Sequence, residues 1–344
     1  MANGIALWCR TELDPPSVCM YDYKYLIGAA VLLVLAIGPV LLRLKGVGHT
    51  GRTPVGASPE PAPVPVPISA TAPAPVSASV PAWDWNLSIT SALLFALAFN
   101  LIFFVQELFL VLPKALTPGL RPILFHNNHT WTGENPLASL FQGTGALAIF
   151  ITGLGCALLL KRRVGGSSSV RLFLIWMAYN GFLQSLPQVV IGAVEPQNDV
   201  GMAMDFLHFG ATAKTAAALA ALVAIAALAL SLRAPLLSVA PHAADIGGGR
   251  ARSRFMFRVS TLPALAAILL IVPFRVPRNW VEVVAVPTVV TIIGVAWIQA
   301  GAWAVVGVQA SGRSNSKSTA YALGALLMLL LVFQFALRPG VKFY

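Results

Sequence analysis

Residues 100–150 read NLIFFVQELFLVLPKALTPGLRPILFHNNHTWTGENPLASLFQGTGALAIF. Two apolar segments flank a polar loop that carries His126, Asn127, Asn128, His129, Trp131 and Glu134. Glu107 sits inside the first segment, near its end. A carboxylate in an apolar helix is costly in lipid, and it requires a partner or a wet cavity. This stretch therefore announces both a membrane fold and a polar site within it.

The rest of the chain agrees. Of 344 residues, 57% are hydrophobic and 10% charged, and the mean hydropathy is +0.78. Soluble domains carry about 25% charged residues. Apolar runs at 25–42, 87–112, 137–160, 172–194, 205–232, 260–274, 281–308 and 319–337 approach or exceed the roughly 20 helical residues that cross a bilayer core. The expected fold is an all-α polytopic membrane protein of about eight transmembrane helices. Residues 1–45 form an outer tail and one anchor helix, 46–85 a Pro/Ala-rich tether of extended polyproline character, and 86–344 a seven-helix bundle.

The net charge of +11 does not point to nucleic acid, because the basic residues fall in short loops between apolar runs. With the N-terminus outside, fourteen Lys and Arg fall on the inner side and eight on the outer, and the positive-inside rule then places both termini on the non-cytoplasmic face. Nine of the twelve acidic residues fall on or near that outer side, a count that did not enter the assignment. Three cysteines are too few for a disulfide framework, although Cys9 and Cys19 can pair across Pro15-Pro16 in an oxidising compartment.

In this topology the unusual polar residues gather at the outer end. Asn180, Gln184 and Gln188 make one helical stripe, Asn100 and Glu107 share a second, and Asp205, His208 and Thr212 make a third. Such stripes line a polar cavity or hydrogen-bond between helices. As chemistry, His126, His129 and Asp199 are candidate ligands for a divalent metal such as zinc, with Glu107 or Asp205 as general base. His208 is a candidate cofactor ligand toward haem or a pigment. The zincin pattern H-E-x-x-H is absent: Gln106-Glu107-Leu108-Phe109-Leu110 keeps the acid and lacks both histidines. An ordered interfacial loop rich in turn-forming residues is the plainer reading of HNNHTWTGENP.

Three functions remain open at this level. The first is an accessory or structural subunit of a larger membrane assembly, since a lone helix on a tether can leave the bundle and dock on another membrane protein. A metal-dependent membrane-embedded hydrolase and a small-solute transporter are the alternatives.

Overall fold

The computed structural model describes residues 23–49, 83–162, 166–276, 280–312 and 317–344. Cys9, Cys19, nearly all of the tether and the side chain of Glu282 lie outside the described residues. The chain is an all-α polytopic membrane protein, and 78% of the described residues are helical. Among the described residues, seven helices are long and apolar enough to cross a bilayer: α1 (Leu26–Gly46), α2 (Trp85–Ala115), α3 (Leu137–Lys161), α6 (Ala211–Leu237), α7 (Gly249–Arg275), α8 (Val283–Ala304) and α9 (Lys317–Leu337). Between α3 and α6 lie α4 (Ser168–Val194) and the short α5 (Asp199–Phe206). With 27 residues, α4 rises about 40 Å and also has spanning length. Asn180, Gln184 and Gln188 lower its hydropathy, and it can carry them because it packs against α2, α3, α5, α6 and α8 at the centre of the bundle.

Two boundaries differ from the sequence expectation. The expected span 260–274 continues back to Gly249, through a π turn at Phe257–Thr261, so the basic run Arg250–Arg258 is helical. The expected span beginning at Asp205 is broken. Its helix ends at Phe206, His208 takes a left-handed backbone (φ 55°), and α6 starts at Ala211.

Prolines inside these helices leave carbonyls without the usual donor, because Pro has no N–H. In lipid each such carbonyl needs another partner. Pro263 frees the Val259 carbonyl, and Ser91 on α2 donates to it at 2.5 Å. Pro113 frees the Phe109 carbonyl, and Thr144 on α3 donates to it at 2.6 Å. The Thr144 hydroxyl thus repairs the neighbouring helix. Gly181 of α4 crosses Gly153 of α3 at close range. A Cβ at Gly181 would sit 2.6 Å from the Gly153 Cα.

The loop after α2 is a β-hairpin, β1 (Arg121–Leu124) and β2 (His129–Thr132), closed where the Phe125 N–H donates to the Asn128 carbonyl. A third strand, β3 (Val341–Lys342), pairs with β1 and ties the C-terminus to the same end of the bundle. Gly133, at φ +98°, lets the chain leave the hairpin, and a Cβ there would overlap the Gly119 backbone. At the opposite end Arg171 bridges Ser238 and Ser311, and Arg233 donates to the Gly301 carbonyl.

The N-terminal helix does not stand apart from the bundle. It lies against α8 and α6, with Gly38 and Gly46 opening space for the indoles of Trp297 and Trp303.

Candidate functional site

At the hairpin end, α2, α4, the loop before α5, the hairpin and the Arg275 region enclose a cavity of about 550 Å³. Its polar wall includes Gln106, Glu107, His129, Gln188, Asp199 and Arg275. Its other wall is apolar and comes from α8, through Val286, Val289 and Val290.

Glu107 is 4% exposed and points at the hairpin. His129 Nδ1 donates to its Oε2 at 2.8 Å. The other ring nitrogen, Nε2, faces the Gln142 amide oxygen at 3.1 Å and the Lys114 ammonium at 3.4 Å. Lys114 is wholly buried in the last turn of α2. Its ammonium donates to Gln142 Oε1 at 2.7 Å and to the Leu110 carbonyl at 3.0 Å, and it lies 4.3 Å from the centre of the Trp131 ring. Trp131 in turn stacks on the His129 imidazole. The network thus joins one carboxylate and one ammonium through an imidazole and an amide, and its charges are compensated within the protein. Only the Glu107 and His129 end borders the cavity.

Across from it, Gln188 donates to Gln106 Oε1 at 2.8 Å, and Gln184 donates to the Phe99 carbonyl and to Asn180 Oδ1. The amide stripe of α4 therefore serves two ends in sequence. Gln184 and Gln188 line the cavity, while Asn180, fully buried below it, donates to the Trp176 carbonyl of its own helix. Asn100 behaves like Asn180, bonding to the Ala96 carbonyl. Below these amides Phe95, Trp176 and Tyr179 meet edge to face at 4.9–5.5 Å and close the floor with a dry aromatic core. Arg275 is 5% exposed, its guanidinium 4.2 Å from the Phe103 ring and its carbonyl held by the Asn127 side chain at 2.9 Å.

The sequence-derived candidates divide accordingly. Glu107, His129 and Asp199 share the cavity wall. His126 is buried beside Asn127 at the hairpin tip and does not line the cavity. Asp205 and His208 lie elsewhere. Their shared helical face with Thr212 does not exist, because the helix breaks between them and Ala211. The same break lets Lys214, which an unbroken helix would place about two and a half turns away on the opposite side, fold back and ion-pair with Asp205. His208 is exposed and lines neither of the two cavities.

The donor set does not fit a zinc site. Among the described residues no group of three His, Cys, Asp or Glu side chains converges at metal-binding distance. Both nitrogens of His129 are already engaged within the protein. Sequence reasoning missed Lys114, Gln142 and Arg275. The two basic residues counted only toward membrane orientation, although Pro113-Lys114 and the proline-flanked Arg275 were visible signs of chain fixed near a helix end.

Two expected results follow. His126 is 7% exposed, and its Nδ1 has no hydrogen-bond partner. Burial holds its pKa below the usual histidine value, with Arg338 and Arg275 acting in the same sense and the backbone at Val276 and Phe274 opposing them. The unfolded chain therefore takes up this proton first. Stability falls as pH drops through the ordinary imidazole range near about 6.5. Melting between neutral and mildly acid pH will show a steeper loss for the wild type than for His126→Gln; equal slopes would remove His126 from the acid response. The Asp205–Lys214 pair has a half-exposed carboxylate, so Asp205→Asn will cost about 0–1 kcal/mol and leave the cavity intact. A larger drop in melting temperature would show that the helix break depends on that pair.

No family model, curated protein or solved structure matches the chain, so the reading of the site rests on its own geometry.

Proposed function

We propose that the chain is a membrane-embedded binding protein whose cavity, at the non-cytoplasmic face, holds a small polar or zwitterionic group. The observation that carries this reading is Glu107: a carboxylate fixed in the cavity wall by His129, which Gln142 and Lys114 brace from behind. Holding the acceptor in place before a ligand arrives reduces the ordering cost of binding. Gln188, Asp199 and Arg275 complete a wall with donors, acceptors and both signs of charge.

Binding is favoured over hydrolysis because, among the described residues, no Ser, Thr, Cys or Tyr lines the cavity, and both ring nitrogens of His129 are engaged within the protein. It is favoured over transport because the aromatic core closes the floor. The accessory-subunit expectation drew in part on the tethered N-terminal helix as a docking device, and the packing of α1 on its own bundle leaves that helix less available for such a role. The outward placement follows from the distribution of basic residues.

Thermal unfolding of the detergent-purified protein with millimolar phosphoethanolamine, glycine betaine or glycerol phosphate tests the proposal. A bound solute at a hundred times its Kd stabilises by about 2.7 kcal/mol. At least one solute should raise the melting temperature of the wild type and have no effect on Glu107→Gln, which keeps an acceptor for His129 but loses the charge. If no solute shifts the wild type, or Glu107→Gln responds equally, the proposal fails.

A further inference from the structure

A second cavity of about 450 Å³ lies beside the first. Its lining is apolar throughout, with Ile27, Val31 and Leu35 of α1 facing α4, α6 and α8. Pro187, Ile191 and Val289 border both cavities, so the polar chamber and the apolar one share a wall. Two of those three residues are far from buried, Ile191 at 44% and Val289 at 50% exposed, so the shared wall is accessible. Both lie on helices of spanning length, where accessible apolar side chains suit contact with lipid chains. The polar chamber therefore adjoins the bilayer through the same residues that lead into the apolar chamber.

A solute arriving from water needs neither feature. An amphiphile uses both, because its head can enter sideways without its chain leaving an apolar medium. Resting on the binding reading above, we infer that the ligand is a phospholipid with a zwitterionic, primary-amine head group. The head occupies the polar chamber and one acyl chain lies under the N-terminal helix. Glu107 and Asp199 on the polar wall accept from an ammonium, and the Arg275 guanidinium suits a phosphate. A quaternary ammonium is less well served, because it has no N–H to donate. The nearby aromatic faces of Phe103 and Phe99 already hold Arg275. In this arrangement α1 is a wall of the lipid site, which accounts for its packing on α6 and α8.

Gly28 makes the inference testable. It lines the apolar chamber, and a Cβ placed there meets nothing within 4 Å, so a large side chain fills the chamber without displacing backbone. The experiment is binding to the detergent-purified full chain of lysophosphatidylethanolamine, lysophosphatidylglycerol and chain-free phosphoethanolamine, followed by native mass spectrometry and thermal shift. Gly28→Phe is compared with Val223→Phe, a substitution at a site 66% exposed and outside both chambers. Micelles take up each lipid equally for every variant, so the comparison is between variants.

The expected result is that Gly28→Phe weakens lysophosphatidylethanolamine about tenfold, as displacing one or two buried methylenes requires, and leaves phosphoethanolamine unchanged. Val223→Phe should match the wild type, and lysophosphatidylglycerol should bind more weakly than its amine counterpart. Unchanged lysolipid binding in Gly28→Phe, with phosphoethanolamine still bound, overturns the lipid inference and leaves the binding reading standing. Equal affinity for the two lysolipids overturns the head-group assignment. Failure of all three probes on the wild type overturns the lipid inference, and the binding reading falls with it if glycine betaine and glycerol phosphate also leave the wild type unshifted.

Discussion

Replacing Lys114 with methionine will destabilise the protein by about 3–5 kcal/mol, the usual cost of removing one partner from a buried charge pair. The ammonium is wholly buried and donates to Gln142 and to the Leu110 carbonyl. Its loss leaves the Glu107 carboxylate with one formal charge too many in a low-dielectric wall. Glu107→Leu should cost a similar amount for the converse reason. The double variant Glu107→Leu/Lys114→Met should lose much less than the two costs added, because it leaves neither charge alone. Denaturant unfolding of the four proteins measures this coupling. Additive losses would mean that the carboxylate and ammonium do not sense each other through His129 and Gln142.

The second large effect is steric. At Gly181 the added Cβ would lie 2.6 Å from the Gly153 Cα and 2.7 Å from the Ile149 carbonyl oxygen, and backbone has little freedom to move away. Gly181→Ala should cost about 1–3 kcal/mol, as overpacking of a tight contact does. Gly181→Leu should prevent α3 and α4 from closing. It should give aggregated protein on size-exclusion chromatography, where Gly155→Leu, at a position with open space, runs as the wild type does. A monodisperse Gly181→Leu protein with a normal melt would contradict the described crossing. The consequence for the site is direct, since this crossing holds α4 where Gln184 and Gln188 reach the cavity.

Much of the architecture was legible in the chain because bilayer thickness translates directly into run length. The helices beginning near Leu87 and Leu137 are where hydropathy put them, within a few residues. The Glu107 and His129 meeting was also legible, since an intramembrane acid needs a partner and a histidine-bearing loop follows at once. Other features depend on backbone geometry that composition does not encode. Residues 205–212 have an acceptable helical pattern, and only the left-handed turn at His208 separates Asp205 from α6. Thr144 and Ser91 gave no sign of serving carbonyls freed by prolines on other helices. Lys114 looked like a loop cation because its partner, Gln142, lies on the next helix, beyond the hairpin.

The account depends most on a water-filled chamber entered from the hairpin end. In a background without native cysteines, a membrane-impermeant maleimide applied to the non-cytoplasmic side should label Gln188→Cys, on the cavity wall, and leave Asn180→Cys, two turns deeper and fully buried, unreacted. Equal protection at both positions, or labelling of Gln188→Cys only from the cytoplasmic side, would contradict it.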